Sequence, residues 1–357
     1  MSSIATGLLG FLTGLVIGAL VYRARLCTFG AIEDGLMGQD WRRAKVFGLA
    51  LAVALVLTQG MILFGFLDAD RTTYLPQSVP VIGLIIGGTM FGIGMALVGT
   101  CGFGSLVRLG SGDLRSLIVI MVYALFAYAM LRGMLSAFRI GVVEGLAWPM
   151  PGPSRSDLAT QLQRFLGFDI RAVLTLALAF GVLVLVLRDA RLLRARRLLT
   201  AGVVLGLAVA MGWAVTGWWS DPFELHQRLQ SLTYVAPVAR AMFGVLGGQD
   251  DGLDFGVANI GGVVAGALLA SLKAGEFRWE AFDDHHEMKR HLIGAVCMGT
   301  GGVLAGGCTI GQGLTAGSLL ALSMPVVIIS MMFGARIGIA ILMGDAGDWM
   351  RRLASRA

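Results

Sequence analysis

"GAVCMGTGGVLAGGCTIGQG", residues 294–313, begins as a glycine-rich apolar helix and runs into a cysteine followed by a polar stretch punctuated by glycine. The same figure occurs earlier as "GGTMFGIGMALVGTCGFGSL", residues 87–106. Glycines along the apolar run let helices approach closely. Those around the cysteine break the helix, and a broken backbone at membrane depth survives only inside protein or against a water-filled cavity. In both places another apolar span follows. The spans that open each half echo one another too, "GLLGFLTGLVIGAL" against "AGVVLGLAVAMGWAV". The pattern predicts a single membrane domain over residues 1–357 built on an internal repeat. Its halves cover 1–140 and 199–345, and a connecting segment, 141–198, carries one span of its own.

Composition agrees with a chain that lives in lipid. Of 357 residues, 56% are hydrophobic and 14% charged, and the mean hydropathy is +0.79, outside the balance of a soluble domain. At about 20 apolar residues per crossing, nine spans are expected near 4–22, 45–67, 81–99, 115–140, 170–188, 199–219, 255–273, 289–306 and 322–344. The fold class is an all-α integral membrane protein with about nine transmembrane helices plus short re-entrant or broken ones. Two leftovers, 308–320 and "SLTYVAPVARAMFGV" at 231–245, are too short to cross and would lie on the outer side.

The net charge of +6 is modest, and its distribution reports topology rather than a nucleic-acid surface. Alternating the loops puts Arg23, Arg25, Arg42, Arg43, Lys45, Arg108, Arg115 and the run "RDARLLRARR" on one side. Lys273, Arg278, Lys289, Arg290, Arg351, Arg352 and Arg356 join them there. The positive-inside rule makes that side cytoplasmic, with the N-terminus outside. The Cys101 break then falls near the inner side and the Cys308 break near the outer, so the repeat is inverted.

Three of the four cysteines open one short pattern: "CTFG" at Cys27, "CGFG" at Cys101 and "CTIG" at Cys308. No C-x-x-C pair or disulfide framework is present. Glycines after each cysteine, Gly30, Gly104 and Gly311, let the backbone turn and approach a ligand, while free amides at the next helix start favour an anion. The thiol adds a soft, weakly donating contact. An anion with one oxyanion end and one sulfur end suits that combination, with Thr309 and Gln312 as partners for its oxygens. Cys297, mid-span, reads as a small hydrophobe. Arg132 and Arg336, each about one span beyond its cysteine, are paired by the repeat as structural or anion-attracting charges. No nucleophile elbow, H-E-x-x-H or P-loop occurs, so neither an enzyme nor a cofactor is expected. A metal path would call for His or Met beside the thiols, whereas His285 and His286 sit in an inner loop.

The "CTFG", "GTCGFGSLVR" and "GGCTIGQGLTAGS" stretches, with "SLTYVAPVAR" and the order of spans, resemble the YeeE/YedE family of bacterial inner-membrane sulfur transporters, best known for thiosulfate uptake. The resemblance implies an hourglass of inverted repeats in which thiosulfate passes along cysteines by S–H···S contacts. Cys308 would stand on the outer side, Cys101 toward the centre and Cys27 toward the cytoplasm. It also implies a cytosolic sulfur-carrier partner of the TusA type. Two other readings stay open from the residues: a membrane sulfurtransferase that hands on sulfane sulfur as a cysteine persulfide, and a permease for a soft metal or a selenium compound.

Overall fold

The computed structural model describes residues 2–76, 78–143, 148–149, 156–167, 170–218, 229–247 and 254–344. The basic residues expected at 351, 352 and 356 lie outside this set. The first half contains α1 (Ser2–Ala24), α2 (Thr28–Met37), α3 (Arg42–Leu63), the short strand β1 (Ser78–Val79), α4 (Val81–Val98), α5 (Gly102–Gly110) and α6 (Leu114–Leu131). The connecting region holds α7 (Ser136–Phe138), β2 (Trp148–Pro149), α8 (Leu158–Leu166), α9 (Arg171–Leu187) and α10 (Ala190–Arg194). The second half has α11 (Arg196–Trp218), α12 (Ala236–Gly247), α13 (Phe255–Ala274), α14 (His285–Leu304), a π-helical segment at Gly311–Ala316 and α15 (Ser323–Leu342).

All nine expected spans fall on helices, yet among the described residues seven stretches are long and apolar enough to cross a bilayer. The expected span at 170–188 falls on α9, which is only 17 residues long. That at 289–306 falls on α14, whose N-terminal turns carry "HHEMKRH". The span expected to reach residue 140 ends at Leu131, where Arg132 caps α6 and the chain turns. Apolar side chains cover the bundle's outside, among them Leu8, Leu12 and Val16 on α1 and Val173, Leu176 and Phe180 on α9, as lipid contact requires.

Glycine sets the packing. A Cβ on Gly14 would overlap the Asn259 carbonyl of α13, and one on Gly206 would sit 2.5 Å from the Ala50 carbonyl of α3. The α1–α13 seam is thus matched by an α11–α3 seam. Likewise a Cβ on Gly92 would meet Met331 O and Ala335 N of α15, as one on Gly299 would meet Tyr123 O and Ala127 N of α6. Met331 and Ala335 meet Gly92 as Tyr123 and Ala127 meet Gly299, so the two seams match residue for residue, each joining a helix of 1–140 to one of 199–345. Helices α4 and α14 run antiparallel, since Gly87 faces Leu304 and Ala305 while Gly94 faces Gly294 and Met298. That is the relation the expected inverted repeat requires. The same equivalence corrects the Arg132–Arg336 pairing: Arg336 follows Ala335 directly, whereas Arg132 lies five residues beyond Ala127.

The connecting region is anchored to the second cysteine segment. Leu158 N donates to Leu320 O at 2.9 Å and Leu322 N to Ser156 O at 3.0 Å. Beneath them, buried Arg171 reaches Asp157 at 2.8 Å, Thr160 at 3.0 Å and Gln59 at 3.1 Å, and Gln59 in turn donates to Ser318 O at 2.9 Å.

Candidate functional site

Each patterned cysteine stands at the start of a short helix, not in the middle of a span. The two equivalent helices that lead to the breaks stop at glycines only they can place: Gly99 caps α4 at φ +75° and Gly306 follows α14 at φ +70°, a left-handed conformation that side chains with a Cβ resist. The chain then re-enters. Cys101 caps α5 in extended geometry, its sulfur accepting from Gly104 N at 3.3 Å. Cys308 does the same with Gly311 N at 3.4 Å, and the amides of Ile310 and Tyr234 also face its sulfur. Cys27 caps α2 without that bond.

The glycine three residues on has a second purpose in all three loops. A Cβ on Gly104 would overlap Thr100 Oγ1, one on Gly311 would sit 2.7 Å from Thr233 Oγ1, and one on Gly30 would sit 2.8 Å from Arg43 Nη1. Every pattern glycine makes room for a polar group beside a thiol.

Although far apart in sequence, the loops meet. The Cys27 sulfur lies 3.6 Å from Thr100 Oγ1 and beside Cys101. The Thr28 side chain also lies beside Cys101, and Thr309 Oγ1 donates to Thr28 Oγ1 at 3.0 Å. A continuous thread therefore runs Cys308, Thr309, Thr28, Cys101, Cys27. Around it Tyr123 donates to Tyr234 O at 2.7 Å, Tyr234 to Asn259 Oδ1 at 2.9 Å, and the Phe103 and Tyr234 rings lie 4.7 Å apart. Cys101 and Cys308 are buried; Cys27 is half-buried.

Cavities flank the thread at opposite ends of the bundle. One, of about 400 Å³, is bounded by the start of α4, the end of α14 and the start of α15, and includes Tyr74, Arg139, Gly306, Gln312 and Ser323. Gln312 is held there by Ser323, whose hydroxyl donates to Oε1 at 3.1 Å. The other, of about 920 Å³, lies at the end of α1 and the starts of α3 and α11, with Arg23, Arg25, Arg42, Arg43 and Arg197 against Asp34, Asp40 and Glu276.

Of the residues expected from sequence, Cys27, Cys101, Cys308, Gly30, Gly104, Gly311, Thr309 and Gln312 are thus gathered on or beside the thread. Arg132 and Arg336 are not: both are exposed, one at the end of α6 and the other midway along α15. Cys297 is half-buried within α14. His285 and His286 cluster with Asp284 in an exposed group that contains no thiol. Sequence reasoning missed Thr28, Thr100, Thr233 and Tyr74; the first two flank the cysteines, and Thr233 occupies in "LTYV" the place of Cys27 in "LCTF".

The chain is similar to the thiosulfate transporter TsuA of Escherichia coli (strain K12), 25% identical over 334 residues and 87% of each chain. It is also similar to the thiosulfate transporter TsuA of Spirochaeta thermophila, 27% identical over 323 residues, 88% of this chain and 92% of that one. The pattern that defines the Sulphur transport family extends over residues 23–337, taking in all three cysteine loops and both halves of the repeat, and this protein belongs to that family.

Proposed function

We propose that the protein imports thiosulfate across the bacterial inner membrane, with its N-terminus on the periplasmic side and its C-terminus in the cytoplasm. The observation that carries this reading is the thread of three thiols and two hydroxyls lying between polar cavities at opposite ends of an apolar bundle. The anion enters the cavity beside Gln312, where amides at a helix start favour its oxygens and the Cys308 thiol meets its sulfane sulfur. It then passes Thr309 and Thr28 to Cys101 and leaves past Cys27. Neutral thiols and hydroxyls are weak donors, and a path of weak serial sites lets an ion leave as readily as it arrives. The Thr309–Thr28 hydrogen bond closes the path and must open for passage. The basic cavity beyond Cys27 suits release to a cytosolic sulfur carrier of the TusA type.

Thiosulfate labelled separately on its sulfane and sulfonyl sulfurs, offered to liposomes holding the purified protein, tests the reading. Equal accumulation of both labels is expected. Entry of the sulfane label alone would mean that a cysteine persulfide carries the sulfur and that the protein is a sulfurtransferase. Cys101→Ala and Cys308→Ala should each abolish uptake at normal membrane levels, and Cys297→Ala should leave it intact.

A further inference from the structure

A third cavity, of about 200 Å³, lies at the basic end of the bundle against Val98 and Gly99, just before the Cys101 loop. Arg108 joins it to the thread: its Nη2 donates to Gly99 O at 3.3 Å, and its charge acts on the Cys27 thiol. Three guanidiniums line the cavity, from Arg108 on α5, Arg115 on α6 and Arg290 on α14. Arg115 is engaged by carboxylates, with Asp113 at 3.0 Å, Glu280 at 2.5 Å and Glu287 at 3.3 Å. Asp113 and Glu287 line the cavity as well, so three guanidiniums stand against two carboxylates; Arg108 and Arg290 have no ion pair among the described residues, and the lining carries one net positive charge for an anion.

His291 decides when that balance can be used. Its side chain is 6% exposed, and it lines the cavity. Nδ1 lies 2.9 Å from the Glu287 carbonyl. A carbonyl only accepts, so Nδ1 carries the hydrogen, and in the neutral ring Nε2 is then a bare lone pair. Nε2 has no partner among the described residues, and the Phe282 ring packs edge-on against the imidazole at 5.4 Å, fixing its plane. The neutral ring therefore has only a lone pair at Nε2 to offer an anion, and only the protonated ring has a free N–H.

We propose that this cavity is an inner oxyanion site for the sulfur anion leaving the cysteines, and that it fills only together with a proton taken up at His291 Nε2. Its ligand rests on the thiosulfate reading. Cytosolic pH then sets how long the anion stays: an acid interior holds it beside Arg108 and Arg290, and a more alkaline one lets it go.

Calorimetric titration of sodium thiosulfate into the purified full-length protein, from about pH 6 to about pH 8 in two buffers of different ionisation heat, tests this. Thiosulfate itself does not titrate there. Affinity should fall as pH rises, approaching tenfold per pH unit once the ring is neutral in the free protein, with about one proton taken up per anion on that limb. His291→Gln supplies a permanent N–H donor, so the variant should bind with a flat pH profile and no proton uptake. Arg290→Gln should weaken binding with proton uptake retained. Absence of proton uptake in the native protein, or an unchanged pH profile in His291→Gln, would overturn the proposal. The two-label uptake assay judges the transport reading separately: a sulfane-only result there removes the intact anion from the path whatever the calorimetry shows.

Discussion

Replacing Arg171 by Met should destabilise the protein more than any loss of its three hydrogen bonds taken as surface contacts. The Arg171 side chain is 10% exposed and that of its partner Asp157 is 0% exposed, and Asp157 Oδ1 already lacks a hydrogen-bond partner among the described residues. Removing the guanidinium leaves that carboxylate buried and uncompensated, a change that costs about 3–5 kcal/mol. At about 2 °C per kcal/mol for a large chain, the melting temperature should fall by on the order of 5–10 °C. Adding Asp157→Asn removes the stranded charge, so the double variant should recover most of the stability, because a buried pair contributes little net once its desolvation is counted. Fluorescence-monitored melting of the three variants in detergent reads this directly. A single Arg171→Met variant as stable as the native protein, or a double variant no better than the single, refutes the argument. Gln59 links the same pair to the Ser318 carbonyl, so the single variant should also slow thiosulfate uptake by the folded fraction.

Gly104→Ala would force Thr100 Oγ1 away from its place beside Cys27; uptake should drop several-fold with folding retained, and adding Thr100→Ala should restore part of it. Gly92→Leu drives a side chain into the Met331 and Ala335 backbone, and overpacking of about 1–3 kcal/mol or more should appear as lower yield of folded protein on size exclusion. Arg42 bonds the Asp40 side chain at 2.9 Å and holds its carboxyl down at about 2. A depressed carboxyl stabilises above its unfolded value of about 3.9 and loses that contribution as pH falls toward about 2. Arg42→Gln should therefore alter only the acid limb of a pH–stability curve, and modestly, because the pair is exposed.

The fold was legible where one physical requirement writes itself into composition. Lipid demands apolar runs, close helix seams demand glycine at helical spacing, and so both halves of the repeat and the three cysteine loops can be found from sequence. Gly104 and Gly311 were legible as close-approach positions, but what approaches them was not: Thr100 and Thr233 are ordinary residues whose meaning comes from a neighbour that only folding supplies. The Thr28–Thr309 bond spans 281 residues and has no local signal. His291 drew no reading at the start of an expected span, because the Phe282 ring that packs against it comes from the preceding loop. The Arg132–Arg336 pairing failed for a different reason. Counting spans fixes a residue to within a turn or two, while a symmetry mate must match to the residue, and Arg132 falls past the end of its helix.

The departures from symmetry indicate how a symmetric frame could give a directional path. The inverted repeat offers four half-helix starts, and three of them carry cysteine. At the fourth, Leu232, Thr233 and Tyr234 stand where the first half has Leu26, Cys27 and Thr28. One end thereby gains a thiol pair, Cys27 with Cys101, within reach of Arg43 and Arg108. The other has a single thiol, Cys308, with the Thr233 and Tyr74 hydroxyls both beside Gly311. Hydroxyls and amides suit the oxyanion end of a sulfur anion and thiols its soft end. An arriving anion would then meet hard donors first and shed them for sulfur contacts as it moves inward. In the proposed orientation cations wait at the inner end, where an interior-negative membrane potential, worth about 2.3 kcal/mol per charge at 100 mV, opposes entry. Threonine in place of cysteine at the fourth position keeps one end of the thread from matching the other, so the anion would be offered different donors at its two ends.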